Sequence, residues 1–248
     1  MKISIVTITY NAAQHISCTL ESVLTQTIRP YEHVFIDGKS SDGTLGLIRK
    51  YEKACNYKVK LISEIDEGIY DAMNKGLDCV QGDYILYLNA GDYFASKNVL
   101  NLYHDNYIPK ALVYASNINY VDSKYNISRE WRLSSYPGNF KSGWHVAHPG
   151  FLAEINLLRS LKGFNLEYKI ASDFDLMLRA VKSIDSGQLV ILDNVTVNML
   201  EGGFSNGSIR NILRGNQEVR KSIRLSGEKV TIIYTLSRLF IKLIAKIR

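Results

Sequence analysis

Short polar segments follow four apolar stretches in the first hundred residues, and they are rich in carboxylate and amide side chains. Carboxylates that lie close together are costly to bury unless cations, hydrogen-bond donors or a metal ion compensate them. A divalent ion that bridges a diphosphate would meet this need, because Mg²⁺ and Mn²⁺ favour carboxylate and phosphate oxygens. We therefore interpret the segments as one candidate site for a phosphorylated ligand. Its members are Thr9, Tyr10 and Asn11, Asp37 and Gly38, Glu64 and Asp66, and Asn89 and Asp92.

The stretches before these segments have the β-branched, apolar character of buried strands, and helical patterns separate them. Strands that alternate with helices of this length predict right-handed crossovers and a parallel sheet. The predicted fold class is α/β, with a doubly wound, mainly parallel sheet and helices on both faces. Because ligands bind at the carboxyl ends of strands in such sheets, the polar segments should converge on one crevice. The predicted strands are Lys2–Thr9, His33–Ile36, Val59–Ser63 and Tyr84–Leu88, and the third predicted helix is Gly68–Val80.

The second half of the chain is less regular. Ser172 is predicted to cap a helix that runs to Ser183, with Asp175 three residues after the cap. The segments rich in glycine, at Tyr136–Pro149 and from Gly202, are predicted loops. Strands are predicted at Val113–Val121 and Ile127–Trp131, and a strand pair at Gln188–Leu192 and Val195–Met199.

The positive charge of the chain is concentrated near its end. The net charge is +6, but residues 209–248 contain ten Lys and Arg and two Asp and Glu, a net of +8. The other 208 residues carry 20 basic and 22 acidic groups, which argues against a nucleic-acid partner. Val230–Arg248 has the pattern of an amphipathic helix and is too interrupted by charge to span a bilayer. We expect the tail to lie on an anionic membrane surface, with docking on this chain or on a second subunit as the alternative.

Cysteine usage and the first residues bear on the compartment. The three cysteines are scattered and form no CxxC pair, which fits a reducing environment better than a disulfide framework. No signal-peptide pattern precedes the first predicted strand. We expect a cytoplasmic protein that associates peripherally with the inner face of the cell membrane.

Five segments of the chain, taken in order, resemble the successive motifs of family 2 inverting glycosyltransferases. The resemblance spans about the first 205 residues, and the most similar subgroup builds bacterial surface polysaccharides such as capsule or O-antigen. It implies a glycosyltransferase A-type fold, with a Rossmann-like nucleotide-sugar-binding half at residues 1–95, an acceptor half at 96–206 and a basic helical tail at 207–248. The segments are IVTITYN (5–11), FIDGKSSDGT (35–44), SEIDEGIYDAMNKG (63–76), YILYLNAGD (84–92) and IASDFDLMLR (170–179).

The resemblance implies donor contacts in the first three segments. The family usually has Arg where this chain has Met73, so a phosphate or ribose contact is either missing or moved to Lys75. A plain turn at Asp37-Gly38 and a helix-capping role for Asp66 are the structural alternatives. The implied donor-binding residues are Thr9 and Tyr10 at the base and ribose, Asp37 and Asp66 at the base, and Asn74 and Lys75 on the following helix.

The last two segments imply the metal ligand and the catalytic base. The family's fourth segment usually carries several carboxylates, whereas here it leaves Asp92 as the metal ligand for Mn²⁺ or Mg²⁺, with Asn89 as a neutral oxygen donor. Asp173 matches the general base that removes a proton from the acceptor hydroxyl. Ser172 stands where the family usually has Glu. A solvated turn at Asp92 and ordinary first-turn helix acids at Asp173 and Asp175 are the alternatives.

These features together predict an inverting glycosyltransferase. The implied donor is a nucleotide-diphospho-sugar, with UDP as the default, and the implied acceptor is a hydroxyl of a lipid-linked or oligosaccharide molecule in bacterial surface polysaccharide biosynthesis. A non-catalytic nucleotide-sugar-binding subunit is the main alternative. A nucleotidyltransferase would need a glycine-rich phosphate loop after the first strand, and a dehydrogenase would need GxGxxG there; the chain has neither.

Overall fold

The computed structural model of the chain describes residues 1–133, 145–201 and 209–228. Within these residues, β-strands and α-helices alternate through the first half and mix less regularly in the second. The strands are β1 (Ile3–Thr9), β2 (Glu32–Asp37), β3 (Lys58–Ser63), β4 (Tyr84–Tyr87), β5 (Tyr93–Phe94), β6 (Val113–Val121), β7 (Ile127–Trp131), β8 (Phe151–Glu154) and β9 (Leu189–Leu200). The helices are α1 (Ile16–Leu24), α2 (Thr44–Ala54), α3 (Ile69–Cys79), α4 (Val99–Asp105), α5 (Ile155–Ser160), α6 (Ser172–Lys182) and α7 (Ile209–Leu225).

All of these strands belong to one mixed sheet, in the order β3-β2-β1-β4-β8-β6-β9-β5, with β7 paired to β6. The four strands at one end of this order are parallel, as the alternating pattern predicts. β8 then runs antiparallel to both β4 and β6, while β6 and β9 are parallel. The α/β fold class is confirmed, and the antiparallel pairs lie in the half whose sequence pattern is less regular. The carboxyl ends of β1 to β4 lie at one edge of the sheet.

Helices cover both faces of this sheet, because the buried side chains of the central strands alternate between two cores. In β1, Ile3 and Ile5 pack with α1, α2 and α4, whereas Val6 and Ile8 pack with α3, α5, α6 and α7. These side chains are at most 9% exposed. Each contributes about 1.5–3 kcal/mol through burial, so the central strand is a rigid support for the residues that follow it.

Two predictions about the second half are wrong. The expected strand pair is one strand, β9, whose ladder with β6 shifts register beside Asn117. The polar residues Asp193 and Asn194, which suggest a turn, are accommodated at that shift without ending the strand. Ser172 is also not a cap: α6 begins at Ser172, and its Oγ donates to the carbonyl of Asn165 at 2.9 Å.

The helix α7 packs on α6 through Val219 and Ile223, which are 1% and 0% exposed. Residues of α7 therefore pack on the α/β body, and the proposed division into two halves and a tail from residue 207 stays a prediction. Across the described ranges, no helix combines the length and apolar character that a bilayer-spanning segment requires. The predicted amphipathic helix Val230–Arg248 and the loop from Gly202 lie outside the described residues.

Candidate active site

The ends of β1 and β2 are joined by a buried carboxylate. Asp37 is 0% exposed, and its carboxylate accepts hydrogen bonds from Thr9 Oγ1 (2.9 Å), Ser63 Oγ (2.7 Å), and the backbone N–H and Oγ of Ser40. Burial raises the pKa of Asp37, but the hydrogen bonds from Ser40, Ser63 and Thr9 outweigh it and leave the pKa below its ordinary value. Thr9 and Asp37 are therefore brought together as predicted, and their polar groups bind each other.

Beside this network, Tyr10 and Asp66 flank Gly38. A Cβ added to Gly38 would lie 2.8 Å from Oδ2 of Asp66 and 3.3 Å from Cδ2 of Tyr10. Tyr10 is 69% exposed, so its ring is open to a ligand. Oδ1 of Asp66 accepts from the backbone N–H of Gly68 at 2.9 Å, which fixes the carboxylate at the start of α3. The ring of Tyr10, the carboxylate of Asp66 and the backbone of Gly38 thus lie together at the ends of β1 to β3, and we call these three residues the slot.

Two other predicted donor contacts bind protein groups instead. The amide of Asn74 exchanges two hydrogen bonds with the backbone of Phe164, at 2.9 and 2.8 Å. Lys75 forms ion pairs with Glu64 (2.9 Å) and Asp71 (3.2 Å) and donates to a carbonyl of the β3–α3 loop. Met73 is 2% exposed, so this position adds no polar group. These side chains of α3 stabilise the loops around the slot.

The turn after β4 contains two oxygen-bearing side chains with little internal compensation. Oδ1 of Asn89 is buried and has no hydrogen-bond partner. Asp92 is 5% exposed, and its Oδ1 accepts from the backbone N–H of Leu200 at 3.1 Å. Burial raises the pKa of Asp92 to about 7, although the hydrogen bond from Leu200 opposes it. Thr19 of α1 fixes the turn, because its Oγ1 donates to the Asp92 carbonyl at 2.7 Å and accepts from Gly91.

A divalent metal fits this turn only if the ligand supplies part of its coordination. Within the described parts of the chain, no group of three or more His, Cys, Asp or Glu side chains could bind a metal ion. The unpartnered Oδ1 of Asn89 and the carboxylate of Asp92 are nevertheless oxygens of the type that Mg²⁺ and Mn²⁺ prefer. Diphosphate oxygens would complete such a site.

Asp173 lies in the first turn of α6 and is half-buried. The hydroxyl of Tyr70, on α3, donates to its Oδ1 at 3.3 Å. Burial and then the charge of Asp173 raise the pKa of Tyr70, so the hydroxyl remains a donor. The sequence reasoning missed Tyr70, because nothing in a motif on α3 reveals a contact 103 residues away.

The charge of Asp173 affects the pKa values of two further side chains, His148 and Tyr120. Nε2 of His148 is buried without a hydrogen-bond partner, and its ring lies 5.6 Å from that of Tyr87. Burial lowers the pKa of His148, while the charge of Asp173 raises it. Burial raises the pKa of Tyr120, Arg129 lowers it, and the charges of Asp173 and Asp92 both raise it. One tyrosine hydroxyl is therefore within electrostatic reach of the candidate base and of the candidate metal ligand.

Arg129 joins the ring of Tyr120 on β6 to a row of aromatic side chains that begins on β7. The guanidinium of Arg129 lies 4.0 Å from the centroid of the Tyr120 ring and 5.8 Å from that of Trp131. The ring of Trp131 lies 4.7 Å from that of His145, which in turn is 5.7 Å from Phe174 on α6. Residues 136–144 of the predicted loop Tyr136–Pro149, which include Trp144, lie outside the described residues.

The model of the family described as "Glycosyl transferase family 2" matches residues 4–161. A "PGL/p-HBAD biosynthesis glycosyltransferase" of Mycobacterium tuberculosis is 26% identical over 179 residues, which cover 71% of this chain and 68% of that protein. A "Poly(ribitol-phosphate) beta-glucosyltransferase" of Bacillus spizizenii is 34% identical over 107 residues, or 42% of this chain and 17% of that protein.

Solved structures show the same fold. S. aureus TarS 1–349 in complex with UDP-GlcNAc has a TM-score of 0.70 at 19% identity, with 98% of this chain and 72% of that chain covered. A mannosyltransferase from Pyrobaculum calidifontis in complex with GDP-Man and Mn²⁺ has a TM-score of 0.67 at 17% identity, with 98% and 74% covered. In a longer TarS structure, the match covers 40% of that chain. With a family match over more than half of its length and this shared fold, the chain belongs to glycosyl transferase family 2 and is a glycosyltransferase with the A-type fold.

Proposed function

We propose that the protein transfers a sugar from a nucleotide-diphospho-sugar to an acceptor hydroxyl with inversion at the anomeric carbon. The observation that carries the proposal is the place of Asp173 in the first turn of α6, where Tyr70 of α3 donates to its Oδ1 at 3.3 Å. A half-buried carboxylate that the fold brings beside the first half of the chain suits removal of a proton from an acceptor hydroxyl in a displacement reaction. The order of the five sequence motifs and the nucleotide-sugar complexes of similar folds support it further.

The proposed nucleotide site is the slot at the ends of β1 to β3. The exposed ring of Tyr10 offers a face on which a base stacks, and Oδ2 of Asp66 offers an acceptor for a base N–H. Thr9 and Asp37 shape the slot from beneath through their mutual hydrogen bond, and Asn74 and Lys75 stabilise the adjoining loops. The proposed donor is a UDP-sugar, the commonest donor type of the family.

Asp92 and Asn89 are the proposed protein ligands for Mn²⁺ or Mg²⁺, together with oxygens of the donor diphosphate. When bound, the ion supplies positive charge that stabilises the leaving diphosphate. In the chain itself, the buried Asp92 carboxyl must lose its proton before it binds a cation, because burial raises its pKa to about 7.

In the proposed step the acceptor hydroxyl attacks the anomeric carbon while its proton passes to the carboxylate of Asp173. A bond forms between the acceptor oxygen and the anomeric carbon, and the bond from that carbon to the phosphate oxygen breaks. The nucleoside diphosphate leaves with the electron pair. One displacement inverts the anomeric centre and needs one carboxylate base, which is what α6 provides.

The proposed acceptor is a lipid-linked or oligosaccharide molecule of surface polysaccharide biosynthesis, such as capsule or O-antigen, used at the inner face of the cell membrane. Support comes from charge: residues 209–248 carry a net +8. On the described helix α7, Arg210, Leu213, Arg224 and Leu225 are exposed together. Cationic and apolar side chains on one exposed surface suit anionic lipid headgroups.

A thermal-shift panel tests the donor site. UDP, GDP, dTDP and CMP would be added with and without Mn²⁺ to wild type and Asp92→Ala. A ligand at a hundred times its Kd adds about 2.7 kcal/mol, or roughly 5–10 °C for a chain of this size. We expect one nucleoside diphosphate to raise the Tm in a Mn²⁺-dependent way that Asp92→Ala loses. The absence of any shift would contradict a nucleotide site in this crevice.

A turnover assay tests the chemistry. UDP-glucose, UDP-GlcNAc and GDP-mannose would be incubated with water as the acceptor, and release of the nucleoside diphosphate would be measured. We expect Asp173→Asn to slow release at least a hundredfold while Asp122→Asn, in an exposed turn, does not. Nucleotide binding without release by any donor would instead favour a non-catalytic binding subunit.

A further inference from the structure

The helix that carries Asp173 has no cap from its own sequence. The residue before α6 is Ala171, whose methyl side chain accepts no hydrogen bond, and Ser172 donates to the Asn165 carbonyl instead. Backbone N–H groups at the start of a helix need acceptors, and a buried helix start without them is unstable. The acceptors for this helix therefore come from elsewhere in the chain.

Glu218, on α7, supplies acceptors for the cap residue Ala171 and for the two residues before it. Its Oε2 accepts from the backbone N–H groups of Ile170 (2.8 Å) and Ala171 (3.0 Å), and its Oε1 accepts from that of Lys169 at 3.0 Å. Nε of Arg214 donates to the same Oε1 at 2.9 Å. The side chain is 8% exposed, and three of the four hydrogen bonds to its carboxylate come from one segment, residues 169–171. A negative charge at a helix N-terminus is also favourable for the helix dipole.

A second contact ties the same two helices together one turn further along. Oγ of Ser222, four residues after Glu218 on α7, donates to Oδ1 of Asp175 at 2.7 Å. Nε of Arg179 donates to the other oxygen of Asp175, also at 2.7 Å. The carboxylates of Glu218 and Asp175 thus bind groups of the protein itself, and the side-chain hydrogen bond that Asp173 accepts within the described residues comes from Tyr70 at 3.3 Å.

We propose that Glu218 is a positioning residue for catalysis: its carboxylate fixes residues 169–171, and through them the direction in which Asp173 meets the acceptor hydroxyl. This inference rests on the proposed role of Asp173 as the base. A misplacement of about 1 Å between reacting groups costs on the order of a hundredfold in rate. The donor slot is built from β1 to β3 and does not contact Glu218, so donor binding should be insensitive to it.

The test compares wild type with Glu218→Gln and Glu218→Ala. Glu167→Gln is the matched control, because Glu167 is exposed and pairs with Lys221 of the same helix at 2.9 Å without contacting the start of α6. Release of the nucleoside diphosphate would be followed with the best donor among UDP-glucose, UDP-GlcNAc and GDP-mannose. We expect kcat to fall at least tenfold in Glu218→Ala and less in Glu218→Gln, whose amide oxygen keeps part of the acceptor capacity. The donor KM should stay within twofold of wild type in every variant, and Glu167→Gln should keep the wild-type kcat.

The positioning role would be overturned if kcat and the donor KM changed equally. It would also be overturned if the kcat of both Glu218 variants lay within twofold of the kcat of Glu167→Gln. If Glu218→Ala does not fold, the isosteric Glu218→Gln is measured in its place. A loss of kcat of at least threefold with an unchanged donor KM then supports the positioning role, and a smaller loss contradicts it. Adding Glu218→Ala to Asp173→Asn should cause no further loss, since residues that act as a unit are non-additive. If the loss of rate in the double variant equals the product of the two single losses, the inference is contradicted.

The measurements distinguish a failure of Asp173 as the base from a failure of Glu218 as a positioning residue. A wild-type rate in Asp173→Asn would contradict the base itself, whatever the Glu218 variants do. A slow Asp173→Asn together with normal Glu218 variants would contradict only the positioning role.

Discussion

The hydroxyl of Tyr70 donates to Oδ1 of Asp173 across 103 residues of sequence and links the third helix to the sixth. Because Tyr70 is 9% exposed and burial keeps its hydroxyl protonated, the contact is made by a neutral donor to a carboxylate. Such a hydrogen bond orients a base without sharing its charge. It also connects the proposed donor-binding half of the chain to the helix that carries the proposed base.

Replacing Tyr70 with Phe should lower the rate of nucleotide release. The loss of one hydrogen bond to a charged group costs about 1.5–3 kcal/mol, and the carboxylate of Asp173 then rotates more freely. We expect a five- to fiftyfold lower rate of nucleotide release with an unchanged donor KM, both from steady-state kinetics, on the order of what that bond energy allows. Tyr103→Phe is the control, because Tyr103 is also buried but packs on the opposite face of the sheet. Equal effects of the two substitutions on the rate would refute a specific role for Tyr70.

The buried Asp92 predicts an unusual dependence of stability on pH. Its pKa is about 7 in the folded chain and lies near 3.9 in an unfolded one, so folding favours the protonated form. This contribution is complete below about pH 4 and is lost as the pH rises through 7, by about 4 kcal/mol in total. Urea unfolding at pH 5 and pH 8 should therefore show that the free energy of unfolding of Asp92→Asn, relative to that of wild type, is higher at pH 8. A constant difference between the two proteins would show that Asp92 titrates normally.

The same titration should govern metal-dependent donor binding. At pH 6 most Asp92 carboxyls hold a proton, and at pH 8 most do not. Because a cation must displace that proton, the additional Tm increase that Mn²⁺ gives to the nucleoside diphosphate complex should be larger at pH 8. The nucleotide without metal serves as the control at each pH. A metal effect that is equal at pH 6 and pH 8 would argue against Asp92 as the ligand.

Gly38→Ala should weaken nucleotide binding while leaving the fold intact. The new Cβ would lie 2.8 Å from Oδ2 of Asp66, so this carboxylate must shift and strain its hydrogen bond from Gly68, while no backbone atom is displaced. The slot beside Tyr10 then changes shape, and we expect about tenfold weaker binding, or about 1.4 kcal/mol. Gly46→Ala is the control, since its Cβ would meet nothing within 4 Å and alanine favours the helix. Calorimetric titration with the nucleoside diphosphate measures the difference in affinity. Equal affinities in both variants would show that the slot is not part of the nucleotide-binding site.

Asp37→Asn should destabilise the protein through the junction of β1 and β2. An asparagine side chain has one acceptor oxygen, and its amide would face the hydroxyl and N–H donors of Ser40 and Ser63. We expect a loss of about 2–4 kcal/mol in urea unfolding, since donors are left unsatisfied in a buried place. Asp42→Asn, an exposed aspartate in the following loop, should cost less. A neutral effect of Asp37→Asn would mean that a ligand, and not the fold, explains this carboxylate.

Local patterns predict the elements better than they predict what side chains bind. The strand ends were predictable because β-branched runs and the polar residues after them are local signals, and Thr9 and Asp37 do meet. The environments of Asn74 and Lys75 were not, because their partners are set by loops that pack on α3, one of them 90 residues away. A family motif names positions, whereas the direction of a helical side chain depends on what the rest of the chain places beside it.

The acidic ligand of α6 was equally invisible. Glu218 lies in a stretch whose charge pattern suggests a surface helix, and only the packing of Val219 and Ile223 brings it to the buried start of α6. The long strand β9 was missed for a related reason: Asp193 and Asn194 favour a turn locally, but the ladder with β6 continues past them.

The mixed sheet also limits how this enzyme can be recombined with its relatives. β5, which belongs to the first ninety-five residues, pairs with β9, and Tyr70 of the same segment reaches across to Asp173. A chimera that exchanges the donor-binding half at that point therefore cuts a strand pairing and a contact to the base together. Such chimeras should keep a tyrosine at position 70 and an edge strand that pairs with β9. Without them, a chimera with a new donor specificity would lose the contact that orients Asp173.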